Sequence, residues 1–150
     1  MRDDVELRFE PLPDADLVRL VEDNVINRTI NLTGTIEWFP TNFFLKSARG
    51  DWVGGCLGQI WGGWLHIRFL WITERMRGQA LGARLLDATE DHATENGASS
   101  STLETFNGKA LQFYSNRGYK TFGTLEDYPP GHTKYFLRKR LTAPGSGKSH

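Results

Sequence analysis

The 150-residue chain is 39% hydrophobic and 24% charged, and its 18 Lys+Arg balance its 18 Asp+Glu. That composition is globular, and zero net charge excludes both a nucleic-acid coat, which needs a basic excess, and a highly charged disordered chain. The length suits one domain, the single cysteine (Cys56) permits no intrachain disulfide, and neither a signal peptide nor an apolar run of ~18 residues is evident, so a cytoplasmic protein bound to neither nucleic acid nor membrane is expected.

Val5 to Glu10 alternates apolar and polar residues, which predicts a half-buried strand ended by Pro11 and Pro13. Asp14 is placed to cap a helix whose Leu17, Leu20 and Val21 share one face. Residues 24–40 are ambiguous between loop and short helix; the sequons at Asn27 and Asn31 carry no functional weight without a secretory signal. Runs at 42–48, 52–61 and 64–73, separated by Arg49-Gly50-Asp51 and Gly62-Gly63, predict a three-stranded meander. Gly54, Gly55 and Gly58 inside its middle strand point to a bulge or a close backbone approach.

The period then changes. Leu81, Leu85, Ala88 and His92 recur at helical spacing between Gly78 and Glu95, and Asn96-Gly97 ends that helix. A strand at 101–106, a short helix at 107–116, and strands at 119–125 and 133–141 follow. The strand–helix–strand segment 64–106 requires one parallel pair joined by a right-handed crossover, and the hairpins supply antiparallel pairs elsewhere. The expected fold is α/β (α+β): a central mixed, mostly antiparallel twisted sheet with helices on both faces. Residues 1–141 form one domain in this reading, and 142–150 a disordered Gly/Ser-rich tail.

The chemistry is concentrated where the strand at 64–73 runs into Glu74-Arg75-Met76-Arg77-Gly78-Gln79-Ala80-Leu81-Gly82-Ala83-Arg84. A glycine-bearing turn before a helix aims free backbone N–H groups at one spot, where the helix dipole adds positive charge. Arg75, Arg77 and Arg84 reinforce it with no acid between them. The result is an anion cradle, yet neither the dinucleotide-binding nor the P-loop glycine pattern fits it. Instead Arg77-Gly78-Gln79-Ala80-Leu81-Gly82 resembles the acyl-CoA pyrophosphate loop of the GNAT acetyltransferase superfamily, with Ala80 where that family has glycine. Within a helical first turn alanine would cost nothing in backbone terms. Asn107, Ala110, Tyr114, Gly118 and Tyr119 resemble a second signature of the same superfamily. Asn107 begins a helix, and Tyr114 follows two helical turns later on the same face.

The resemblance implies a splayed pair of parallel strands at 64–73 and 101–106, with acetyl-CoA entering between them. It implies that Leu70, Trp71 and Ile72 bind the pantetheine arm, that a backbone N–H near Trp71 or Ile72 polarises the thioester carbonyl, and that Arg77, Gly78, Gln79, Ala80, Leu81, Gly82 and Ala83 hold the pyrophosphate. Asn107, Lys109 and Ala110 would complete the cofactor site, and Tyr114 would protonate the departing thiolate. No metal is needed. The proton from the amine calls for a carboxylate or a water chain. Glu37, Glu74 and Glu104 are candidates, and Glu37 is the nearest to the expected acceptor side. Trp38, Phe39, His66 and Arg68 are candidates to line the acceptor pocket; alternation puts His66 and Arg68 on one strand face and Leu65, Ile67 and Phe69 on the other. The implied activity is transfer of acetyl to a primary amine of a small molecule. Peptide or protein acetylation and a catalytically silent acyl-CoA sensor are the alternatives, and exposed aromatics together with the resemblance suggest a homodimer.

Overall fold

The computed structural model describes residues 4–78 and 80–142. Gln79 and most of the expected tail, 143–150, lie outside the described residues. The chain divides into two compact units, one ending at Ile36 and one beginning at Glu37.

The first unit is built on helix α1, Ala15–Thr33. The Asp14 carboxylate accepts from the Asp16 N–H, and Gly34, at φ 71°, closes the helix by donating its N–H to the Ile30 carbonyl. The helix therefore runs well past the predicted face and takes in Asn27 and Asn31. Residues 5–10 do not form the predicted strand. Alternation marks a face, but a strand exists only when its backbone groups find a ladder partner, and these find none among the described residues.

The second unit is a six-stranded sheet in the order β1-β2-β3-β4-β6-β5. Its strands are β1 Trp38–Lys46, β2 Trp52–Trp61, β3 Trp64–Ile72, β4 Ser100–Thr105, β5 Lys120–Glu126 and β6 Thr133–Arg140. Helix α2, Leu81–Glu95, joins β3 to β4, and α3, Leu111–Asn116, follows a 3-10 turn at Gly108–Ala110. Among the described residues only β3 and β4 are parallel; the other neighbouring pairs are antiparallel. The parallel ladder runs from Trp64↔Ser100 to Ile67↔Leu103 and stops, although both strands continue. The two strands fork there, which is the splay that the resemblance implied.

The glycines of β2 serve the close approach and the irregularity foreseen for them. A Cβ on Gly54 would stand 2.8 Å from Ile72 Cδ1 and 3.0 Å from the Trp71 carbonyl oxygen. At Gly58 the register shifts: Leu57 faces Phe69 while Gly58 faces Ile67, so Arg68 is an extra, bulged residue of β3. The bulge corrects the predicted alternation. Leu65 and Ile67 are buried, but beyond Arg68 it is Leu70 and Ile72 that join the core, and Phe69 turns out to solvent.

One face of the sheet carries the core. Cys56, Ile60, Leu65, Ile67, Leu103 and Leu137 pack against Leu85, Leu86 and Ala93 of α2 and Tyr114 of α3. Glu90 of α2 is fully buried in it. Its carboxylate accepts from Lys139 Nζ at 2.7 Å and from the Tyr119 hydroxyl at 2.9 Å, and that hydroxyl lies 2.8 Å from Ser101 Oγ. Asp87 pairs with Arg117 beside it. Buried charges survive only when compensated in this way, so the network ties α2 to β4, β6 and the start of β5. Among the described residues no helix is long and apolar enough to cross a membrane.

Candidate active site

A cleft of about 540 Å³ opens where β3 and β4 diverge. Leu70, Trp71 and Ile72 form one wall; Arg77, Gly78, Ala80, Leu81, Gly82 and Ala83 form its end; Asn107, Ala110 and Tyr114 form the other wall. These are residues singled out from sequence, brought together from β3, the loop before α2, and α3. Lys109 is exposed on the 3-10 turn and does not line the cleft. Met76 and Phe113 do line it and were missed. Phe113 could have been found: it precedes Tyr114, and its ring stands 3.4 Å from where a Cβ on Gly82 would be, so it explains that glycine.

Strand geometry orients the β3 wall. The Thr73 N–H donates to the Val53 carbonyl of β2, so residues of the same parity, Trp71 included, turn their backbone groups toward β2. Leu70 and Ile72 turn theirs toward the fork, where no ladder partner exists. Arg77 Nε approaches the Ile72 carbonyl at 3.4 Å.

The loop end is an open helix start. Among the described residues no side chain caps the first turn of α2, which leaves its N–H groups open to solvent or to a ligand. Gly78 has φ 82°, and nothing stands within 4 Å of where its Cβ would be. Ala80 sits outside the helix at φ 59°, ψ 18°, the left-handed region. This overturns the expectation that alanine is free of cost there: a Cβ in that conformation costs ~1–2 kcal/mol, which glycine avoids. Of the three arginines, Arg77 lines the cleft, while Arg75 is within 3.7 Å of Asp51.

Asn107 is a cap: its Oδ1 accepts from the Lys109 N–H at 3.0 Å, which leaves the amide nitrogen of its side chain for the cleft. Because a 3-10 turn separates it from α3, Asn107 and Tyr114 are not on one continuous α-helical face, yet both reach the cleft. Tyr114 is 8% exposed, with its ring against Phe113 and Tyr119 and no side-chain hydrogen bond to its hydroxyl among the described residues. Burial, and secondarily the neighbouring Cys56, push its phenol up to about 12.

That shift has a consequence for stability. The unfolded phenol ionises near pH 10, the folded one near 12, so the contribution of Tyr114 is full below pH 10 and is lost as pH rises toward 12. About 2–3 kcal/mol should disappear across that window. Tyr119, pushed upward chiefly by burial, acts in the same direction. Urea midpoints at pH 9 and pH 11.5 check this; equal midpoints would refute it.

On the face opposite the core, His66 Nε2, in the paired stretch of β3, lies 2.8 Å from Oε2 of Glu104, the first residue of β4 past the ladder. Arg68 bulges out next to His66. Just past the end of β4, Phe106 stacks on Tyr128 at 5.5 Å, with Lys134 Nζ 5.4 Å from both ring centroids. Glu37, Trp38 and Phe39 are elsewhere. Register places Trp38 against Trp61 and Trp61 against Trp64, at the opposite end of the strands from Leu70. At ~3.3 Å per residue, that end is roughly 20 Å from the cleft wall. Glu74 begins the 3-10 turn before α2 and is exposed.

The profile of the "Acetyltransferase (GNAT) family" matches residues 9–119. The chain is 36% identical over 118 residues to a blasticidin-S acetyltransferase of Streptomyces morookaense, covering 76% of this chain and 87% of that protein. It is 31% identical over 150 residues to an IAA acetyltransferase of Azospirillum brasilense, covering 89% and 95% respectively. The crystal structure of an acetyltransferase from Bacillus cereus superposes with a TM-score of 0.81 at 28% identity, over 89% of this chain and 98% of that one.

Proposed function

Because the chain belongs to the GNAT family of acetyltransferases, we propose that it transfers acetyl directly from acetyl-CoA to a primary amine of a small molecule. The observation that carries this reading is the single cleft joining an unpaired strand edge, an uncapped helix start and the hydroxyl of Tyr114. The residues fit the group: an extended amide-bearing arm matches the free edge of Leu70 and Ile72, and a pyrophosphate matches the open first turn of α2 beside Arg77. Acetyl-CoA would supply the activated acetyl thioester.

The chain would supply the rest. Leu70 and Ile72, rather than Trp71, offer backbone groups to the arm and an N–H to the carbonyl oxygen. Gly78, Ala80, Leu81, Gly82 and Ala83 present their backbone to the phosphates, and Asn107 offers its amide nitrogen. Tyr114, protonated at every working pH, donates a proton to the leaving sulfur. A small acceptor is supported by the relative named for blasticidin S, which shares 36% identity.

Calorimetry with CoA, then thiol release from acetyl-CoA against blasticidin S, polyamines, aminoglycosides, amino acids and short peptides, tests this. We expect CoA binding and release with at least one small amine. Absence of CoA binding overturns the reading; release with peptides alone moves it to peptide acetylation; binding with no release at all leaves an acyl-CoA sensor.

A further inference from the structure

We propose that His66 accepts the proton of the acceptor amine and that Glu104 is the positioning residue that prepares it. The proposal rests on the acetyl-transfer reading above and assigns its missing base. β3 and β4 stop pairing at Ile67 and Leu103, so Glu104, the next residue of β4, stands at the fork. By alternation it leaves β4 on the side away from buried Leu103, and His66 leaves β3 on the side away from buried Leu65 and Ile67. The two side chains meet at 2.8 Å, with 36% of the imidazole and 31% of the carboxylate side chain open to solvent.

The chemistry of this contact fixes the tautomer. A carboxylate only accepts, so Nε2 carries the ring proton and Nδ1 keeps its lone pair. No other hydrogen bond to the ring exists among the described residues. The dyad thus presents a free base on the sheet face opposite Tyr114, which lies in the core; His66 is still paired with Thr102, Glu104 stands one residue past the last pair, and neither is among the residues that line the cleft. A base on one face of the strand pair and an acid on the other suit a transfer in which sulfur gains a proton while nitrogen loses one.

The balance is as follows. The amine nitrogen bonds to the acetyl carbon as the C–S bond breaks. The nitrogen's proton passes to Nδ1, directly or through one water, and the sulfur takes the Tyr114 proton. Solvent then returns one proton from His66 to Tyr114. Glu104 stabilises the imidazolium while it exists. In register with His66, Gln59 of β2 and Thr102 of β4 are neutral; the bulged Arg68 two residues on, and Arg138 of β6 opposite Thr102, are cations. Glu104 brings the carboxylate that meets the imidazole.

The test compares wild type, His66→Gln, Glu104→Gln and Glu104→Asp, with n-butylamine as the probe amine and acetyl-CoA as donor. His66→Gln should lower kcat/KM by about 10²-fold near neutrality. Glu104→Gln should lower it less, and Glu104→Asp should restore it. A second readout does not need turnover: imidazole nitrogen NMR of the CoA-bound protein should show His66 protonated at Nε2 alone, and Glu104→Gln should mix the tautomers. Wild-type turnover in His66→Gln overturns the proposal. So does a proton on Nδ1, or a tautomer indifferent to Glu104→Gln, and this spectrum decides alone if n-butylamine is not acetylated. Loss of CoA binding in wild type would instead defeat the acetyl-transfer reading.

Discussion

Replacing Tyr114 by Phe should lower turnover by roughly 10²–10⁴-fold while leaving CoA affinity and thermal stability close to wild type. The substitution removes one oxygen from a ring that is otherwise held by Phe113 and Tyr119, and that oxygen makes no side-chain hydrogen bond to lose among the described residues. Packing is therefore kept and only the proton donor goes. A phenol pushed up to about 12 is fully protonated through the neutral range, so Tyr114 should add no alkaline limb to the rate profile below about pH 11. Stopped-flow thiol release and calorimetry on the same preparation separate the two effects. Unchanged turnover would remove Tyr114 from the reaction; lost CoA affinity would make it a binding residue.

The largest effect on stability should come from Lys139→Met, about 3–5 kcal/mol. Lys139 brings its ammonium to 2.7 Å from a Glu90 carboxylate that has no solvent exposure, and the same ammonium stands 5.5 Å from the Tyr119 ring centroid. Removing the cation takes its charge away from a carboxylate that water cannot reach. The double variant Glu90→Gln/Lys139→Met should recover a large part of the loss, because it removes the charge along with its partner. Urea denaturation of both variants is the measurement, and a loss below about 1 kcal/mol in the single variant would place this pair with weakly contributing surface pairs. The pair also bears on function: Tyr119, which donates to Glu90, packs its ring 5.8 Å from Tyr114, so disturbing the network should loosen the cleft wall.

The meander, the α2 crossover and the parallel pair were legible because each rests on local signals: alternation, helical period, and glycine or asparagine stops. The cleft was legible because its loop and the Asn107–Tyr114 stretch are contiguous in sequence. What was hidden depends on partners. Val5–Glu10 alternates as a strand should but gains no ladder. The Arg68 bulge is set by how β3 pairs with β2, so the facing of Phe69 and Leu70 could not follow from the run 64–73 alone. Glu37 is nearest the acceptor side expected from sequence, whereas the contact of Glu104 with His66 joins residues 38 apart in the chain and no local pattern announces it. Ala80 falls one residue short of the expected first turn, since the helix begins at Leu81 and leaves the alanine in the left-handed loop.

Cys56 has no solvent exposure, and burial, more than any neighbouring charge, raises its thiol above the ordinary range. It is also the single cysteine of the 150 residues. The protein is thus silent toward thiol-reactive dyes for as long as it stays folded. A disulfide dye added during turnover would count CoA thiol without a protein background, and a slow protein signal would report unfolding in the same cuvette. A cysteine introduced on the surface could be labelled selectively, which makes the chain ready for fluorescent or spin probes without first removing a native thiol.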